Sequence, residues 1–542
     1  MGKNIPTCGC LLRVLVAAGA CIAARTGVAA AAGPDIIVGE VAGFNDIIYW
    51  GSSGVIKAYS FRTEACNIGT TPANWISTTN QHPVIAQNMF RLMDGRFEQI
   101  GQAWVKHGFN TENEDLCGVC QPTAGQSLGV GCSDTYQASL NGAQALLGPK
   151  SEVNASTGQF PYPFSGPPPV ATIGRRLQVD GDDLDASSNP GALFFLEGHY
   201  VAADDAVFGN AANNASWRRV NYNSATSTMT PVGSTFQQQP AILAWQANDP
   251  SVRLSQVVVQ NDGATGINGW FWVGSKATYL GDCQWHYEYA VQNLNSHQSC
   301  NLFAVVIPDG VTVTNRGFRS VPYHSGEPYL PFNWASSLTA TEVKWSTGSF
   351  AQSPNANALR WGTLFNFRFD ADAPPTCDGS VSLGLYRSPE RPRLVVTALA
   401  PRLGSACSRS GDLDFDCDVD GEDFGRFLAS FGRCNGEPNY DAEADMDLDL
   451  CVQLVDYQLW LARYREYVGD PAAAAPTPIF PLILGDVNCD GSITPADADV
   501  LVQVLLGQDT DVHHAEAADV DASGGANAAD IGPFIDKLFN PN

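Results

Sequence analysis

Between about residues 34 and 400 the chain alternates short runs of β-branched and aromatic residues with clusters of Gly, Asn, Asp, Ser and Pro. Such runs occupy 47–50, 256–260, 269–280, 283–294, 302–313, 358–371 and 393–398. In one of them the apolar Trp285, Tyr287, Tyr289 and Val291 are interleaved with His286, Glu288 and Ala290, the period of a strand with one face in a core. Many short strands with frequent turn signals predict antiparallel β-sandwiches rather than an α/β enzyme fold. A β-sandwich is expected over 251–401, preceded by a β-rich body over 34–250. The segment 81–109 reads as helical or mixed, and 161–169 as a loop or boundary.

After residue 411 the pattern changes to twelve-residue acidic loops, each followed by an apolar helical stretch. From Asp486, oxygen-bearing side chains recur at loop positions 1, 3, 5 and 12 as Asp486, Asn488, Asp490 and Asp497, with Gly491 at position 6. This is the ligand spacing of a calcium loop: calcium takes six to eight hard oxygens at about 2.3–2.6 Å, the glycine permits the sharp turn, and position 7 offers a backbone carbonyl. Position 7 here is Ser492. The pattern recurs from Asp519, with Asp521, Ser523, Gly524, Gly525 and Asp530 in the corresponding places. It recurs upstream at Asp412, Asp414, Asp416, Asp418 and Asp423, and at Asp445, Asp447, Asp449, Cys451 and Asp456. Within each pair the loops start 33 residues apart. Position 6 is Cys417 in one upstream loop and Leu450 in the other, which forfeits the easy left-handed turn. The Ala/Pro-rich stretch 471–478 is expected to act as a semi-extended linker between the pairs.

These paired loops, each with a following helix and no evident incoming one, resemble the type I dockerin, an extracellular relative of the EF-hand. The resemblance covers 484–540, with a degenerate copy over 411–466. It implies small α-helical calcium-binding modules, Ca2+ as the bound ion, and a cohesin-like or surface scaffold protein as partner. Dockerins often accompany polysaccharide-degrading enzymes, so a polysaccharide is a further implied partner. At loop positions 10 and 11, where cohesin-binding dockerins often carry a Ser-Thr pair, this chain has Pro495 and Ala496, Ala528 and Ala529, Gly421 and Glu422, and Leu454 and Val455.

Charge sharpens this division. The 542 residues include 56 Asp and Glu against 30 Lys and Arg, a net of -26. Residues 411–542 carry 27 of those acids and 5 of the bases, so nearly all the excess lies in the modules and the body is almost neutral. With no basic surplus in either part, nucleic acid and anionic membrane are poor partners, whereas a divalent cation suits the acidic end.

Lys3 and Arg13 precede an apolar stretch over 14–24, and Val28, Ala29 and Ala30 offer a small-x-small cleavage pattern, so 1–32 reads as an export signal. Lipid attachment at Cys21 is a minor alternative. Later segments lack the continuous apolar length of a membrane span, and the expected location is extracellular or at the cell surface. Removing Cys8, Cys10 and Cys21 leaves 12 of the 15 cysteines, an even number consistent with disulfides in an exported chain. Expected pairings are Cys283 with Cys300 and a set among Cys66, Cys117, Cys120 and Cys132. Cys117 and Cys120 could instead form a redox pair or half a zinc site. In the upstream module, Cys417 with Cys451 and Cys407 with Cys434 are both open.

The body contains no nucleophile elbow, phosphate loop, dinucleotide fingerprint or zinc-protease motif. Glycoside hydrolases escape that test, because their two carboxylates need only meet in space. Asp94, Glu98, Glu288 and Asp370 are the acids in motif-dense surroundings, and spacing pairs none of them. The body histidines His82, His107, His199, His286, His297 and His324 show no ligand spacing and read as core or surface groups. Of the 12 Trp, all but Trp460 lie in the body, as core or as sugar-stacking faces. The preferred expectation is a secreted, calcium-binding modular protein whose C-terminal modules attach the body. The alternatives are a polysaccharide-degrading enzyme and a carbohydrate-binding protein, each tethered by the same modules.

Overall fold

The computed structural model describes residues 32–539 except 282–283, 323–325, 403–410, 414–418, 448, 470, 477–484, 486, 488–492, 507, 509–511 and 521–525. The chain is mainly β, with 37% of the described residues in strands and 15% in helices. Among the described residues every helix longer than six residues begins after residue 420. The body is therefore built from antiparallel sheets with only short helices such as Ala203–Phe208 and Leu243–Asn248, and the longer helices belong to the acidic modules.

The first part of the body is a ten-stranded sheet covered by a three-stranded one. The covering sheet pairs Ile36–Val41, Thr63–Asn67 and Ser133–Tyr136, and a core containing Val38, Tyr59, Phe61, Met89, Leu177, Leu196 and Tyr200 lies between the layers. Within the large sheet, the strand Val84–Met93 lies between Leu193–Val201 and Arg96–Gln102. The segment expected to be helical or mixed, 81–109, is thus a β-hairpin at the centre of this sheet. Asp94 (φ 50°) and Gly95 (φ 71°) form its turn, the Asp-Gly combination that two-residue hairpins favour. The period-two signal is hidden because nearly the whole first strand is buried on both faces, polar Gln87, Asn88 and Arg91 included.

The second part is a sandwich of two five-stranded sheets. One contains Gly269–Gly281, Gln284–Asn293 and Thr363–Ala371, and the other contains Glu342–Ser346, Cys300–Val306 and Ser380–Leu385. Trp285, Tyr287, Tyr289 and Val291 point into its core with Phe303, Phe367 and Phe369. The intervening Glu288, Ala290 and Gln292 face the first sheet, where Ala290 packs with Phe90, Phe97, Phe195 and Trp245. This seam also contains polar bonds, including Asn366 Nδ2 donating to the Phe97 carbonyl at 2.8 Å and Leu364 N to Gln99 Oε1 at 2.7 Å.

Disulfides Cys66–Cys117 and Cys120–Cys132 join the covering layer to its long loop. Cys117 and Cys120 therefore serve two different bridges, which rules out both a local redox pair and half a zinc site. Cys300 is a free, buried thiol on a central sandwich strand, donating to the Leu302 carbonyl at 3.0 Å. The expected Cys283–Cys300 bridge does not form, since Cys300 points into the core; Cys283 itself lies outside the described residues. In the upstream module the bridge is Cys434–Cys451, in place of both expected pairings, because the two cysteines face each other across an antiparallel bridge.

Candidate metal centre

The acidic loops are short enough for local chain geometry to shape them, and the apolar residues between the acids anchor them. Loop positions 2 and 8 are Leu413 and Val419, then Met446 and Val452, all buried against Phe424, Phe427 and Trp460. In the downstream module Val487, Val520, Ile493 and Ala526 fill the same positions and pack with Leu501 and Phe534. In the loop that starts at Asp445, Met446 and Val452 turn inward and leave Asp445, Asp447 and Asp449 to converge with one another. Spacing alone could have revealed the inward residues, as an apolar pair six residues apart inside every acidic run.

Position 12 is the most regular feature. Asp423, Asp456, Asp497 and Asp530 are all fully buried. Each accepts a hydrogen bond from the backbone N–H at position 9: from Asp420 at 2.8 Å, Gln453 at 2.7 Å, Thr494 at 2.7 Å and Asn527 at 2.8 Å. In the first three loops this bond is half of a capping box opening the helices Gly421–Ser430, Leu454–Val468 and Pro495–Leu505. The fourth leads through a short 3-10 turn into Ile531–Phe539. One carboxylate thus starts the helix and faces back into the loop, beside the positive end of the helix dipole.

The loop from Asp445 to Asp456 is described most fully. Carboxylate oxygens of Asp445, Asp447 and Asp449 lie within 4.8 Å of one another. Asp445 is buried, its Oδ2 accepting from Tyr440 Oη at 2.8 Å and Leu450 N at 2.9 Å, while its Oδ1 is buried without a partner. A buried carboxylate oxygen without a donor is costly unless a cation satisfies it. Asp456 Oδ1 accepts from Asp447 N at 3.0 Å and thereby closes the loop on itself. Loss of water around the Asp447 carboxyl raises its pKa, and the charges of Asp456, Asp449 and Asp445 push in the same direction. Hard oxygens on a tight turn, clustered against their own repulsion, fit a calcium ion. Leu450, where calcium loops prefer glycine, is held at φ 72°. Cys451 is tied to Cys434 through its side chain, leaving its carbonyl to act at position 7.

In the other three loops the described members are Asp412 and Asp519, both half-buried, with Asp423, Asp497 and Asp530. Asp414, Asp416, Asp418, Asp486, Asn488, Asp490, Ser492, Asp521, Ser523 and Gly525 lie outside the described residues.

In the body, three of the four acids that spacing could not pair do meet. Glu98 pairs with Arg91 at 2.6 Å, Glu288 with Arg96 at 2.8 Å, and His286 bridges Glu288 at 3.3 Å to Asp370 at 2.6 Å. Arginine charges neutralise this seam. Asp94 sits apart in its hairpin turn. Both ring nitrogens of His286 face carboxylates, so the bond to Glu288 first, then that to Asp370, raises its pKa against the opposing effect of burial. His82 is a satisfied core histidine, its Nδ1 donating to the Pro83 carbonyl and its Nε2 accepting from Gly108 N. His324 lies outside the described residues. The tryptophans are buried except Trp50 and Trp272, which are half-buried, so they serve as core more than as open stacking faces.

Residues 484–538 match the family model of the dockerin type I domain. No curated protein matches the chain. Among solved structures, it is similar to the Amycolatopsis orientalis exo-chitosanase CsxA, at 9% identity and TM-score 0.14, over 62% of this chain and 25% of that one. It is also similar to the N-terminal domain of the Streptococcus gordonii adhesin Sgo0707, at 8% identity and TM-score 0.16, over 68% of this chain and 98% of that one. At these scores the likenesses assign neither fold nor activity. Among the described residues no helix is long and apolar enough to cross a membrane.

Proposed function

We infer that this is a secreted, modular calcium-binding protein whose C-terminal modules dock a β-sandwich body onto an extracellular scaffold. The observation that carries the reading is the match of 484–538 to the dockerin type I domain. The repeated buried Asp at position 12, opening a helix in each loop, supports it and extends it to the upstream pair. In this reading Ca2+ is held by Asp486, Asn488, Asp490, Ser492 and Asp497 and by Asp519, Asp521, Ser523, Gly525 and Asp530. The upstream sites use Asp412, Asp414, Asp416, Asp418 and Asp423, and Asp445, Asp447, Asp449, Cys451 and Asp456. Ion binding removes the mutual repulsion of these carboxylates, so module folding and docking become calcium-dependent together. The partner is a cohesin-like protein with a recognition surface suited to Pro495 and Ala496 rather than a Ser-Thr pair.

The test is binding of the full chain to immobilised cohesin domains with calcium and with EGTA, alongside reducing-end release from a polysaccharide panel. Calcium-dependent capture with no sugar release is expected. Capture indifferent to EGTA would sink the docking reading, and reproducible release would replace the non-catalytic body with an enzyme.

A further inference from the structure

The least expected group in the body is Lys150. It follows Pro149 at the start of a 3-10 turn, Lys150–Glu152, and its amine is wholly enclosed. Its Nζ donates to Asn88 Oδ1 at 2.9 Å, Gln102 Oε1 at 3.4 Å and the Gly362 carbonyl at 3.3 Å. All three acceptors are neutral. No ion pair to Nζ exists among the described residues, so an ammonium here would be buried without a counter-charge in contact, a costly state.

Asn88 sits directly opposite Glu197 on the neighbouring strand, and its Nδ2 donates to Glu197 Oε1 at 2.9 Å. Glu197 is fully buried, its Oε2 held by Ala241 N and Gln292 Nε2, both at 2.7 Å. An amine, a primary carboxamide and a carboxyl group are therefore lined up in an enclosed place, with the amide between the other two. Trp361 covers Nζ at 5.6 Å from its ring centre and His199 packs against Trp361. Gly362, at φ 65°, leaves the space open: a Cβ there would come within 3.3 Å of Nζ. A cavity of about 10 Å³ beside Lys150 is large enough for roughly one small molecule the size of water.

We propose that Lys150 and Asn88 are joined by an intramolecular isopeptide bond, formed by attack of Nζ on Asn88 Cγ with Glu197 as the acid and base. The extra proton of the ammonium passes to the Glu197 carboxylate, leaving a neutral amine and a neutral acid. The Nζ–Cγ bond forms and the Cγ–Nδ2 bond breaks. Glu197 gives its proton to the departing Nδ2, which leaves as ammonia, and takes back the proton shed by Nζ. Amine and primary amide become secondary amide and ammonia, with no change of oxidation state and no co-reactant. Burial favours the starting pair, since it lowers the Lys150 amine to about 8 and raises the Glu197 carboxyl. A desolvated lysine is a nucleophile, and the small cavity beside it has room for the departing ammonia. The bond would link a central strand to a turn 62 residues away, next to Gly362 on the second sheet unit.

Peptide mass mapping of the full chain, denatured and reduced, tests this. The expected result is one branched peptide carrying both Asn88 and Lys150, lighter than its parts by about 17 Da for one ammonia, with trypsin unable to cut after Lys150. Separate linear peptides from the folded wild-type chain would overturn the proposal whatever the variants do. Lys150→Arg should abolish the branched peptide. Glu197→Gln should fold with the two peptides unlinked, and a folded Glu197→Gln chain that cross-links at the wild-type rate would remove Glu197 from the reaction.

Discussion

The body and the C-terminal modules handle buried charge in opposite ways. In the body, carboxylates taken out of water have a partner from the same chain: Glu98 has Arg91, Glu288 has Arg96, and His286 bridges Glu288 to Asp370. In the upstream module Asp445, Asp447 and Asp449 converge with one buried oxygen left over. In its seam the body supplies its own cationic partners, Arg91, Arg96 and His286, to its carboxylates. An ion that satisfied the module's leftover oxygen would tie the module's stability to something the chain does not supply.

The largest effect should separate the two regions outright. In calorimetry of the full chain, EGTA should abolish or strongly lower the module transitions and leave the body transition in place. At calcium a thousandfold above Kd the linkage contributes about 4 kcal/mol per site, and equal shifts of both transitions would break the comparison. Phe367→Ala should do the reverse. Phe367 is fully buried against Phe303, Phe318, Trp334 and Trp345, and its loss should cost the body about 3–5 kcal/mol while leaving calcium affinity unchanged.

A smaller change sharpens the module side. Leu450 is an exposed side chain in the left-handed region, so Leu450→Gly loses little packing and relieves strain of about 1 kcal/mol. The upstream module should melt higher in calcium, and an unchanged or lower melting temperature would mean that the turn is not the weak point. The smallest effect concerns pH. His286 has its pKa raised in the folded body, chiefly by Glu288, so its stabilising contribution is fully present below the ordinary histidine value of about 6.5. That contribution fades as pH rises through the folded value. Wild type and His286→Gln should differ in body melting temperature at pH 5 to 6 and converge at higher pH, whereas a constant gap would show that the group acts by packing alone.

The two regions also differed in how much of them could be read before folding. The calcium-loop pattern spans only twelve residues, so spacing alone sets out the oxygen side chains, the glycine and the helix start from Asp486 to Asp497, and the structure bears out the helix start at Pro495. The strands of the sandwich were legible for a similar reason: Trp285, Tyr287, Tyr289 and Val291 share a face by period alone. The same rule failed at 84–93, where both faces are covered and Gln87, Asn88 and Arg91 are buried as deeply as their apolar neighbours. Cysteine pairing failed too, because Cys300 is close to Cys283 in sequence yet points into a core.

Local order along the chain was thus enough for the acidic modules with their capped helices and for the β character of the body, since each depends on residues a few positions apart. Tertiary structure alone decided which cysteines meet, that Glu98, Glu288 and Asp370 share one seam, and that Lys150, Asn88 and Glu197 stand in line. Those groups come from separate strands and turns, and only the register of the sheet, with Asn88 opposite Glu197, brings them within bonding distance. Register is set by the burial of whole faces, a property of the packed layers that short-range spacing does not carry.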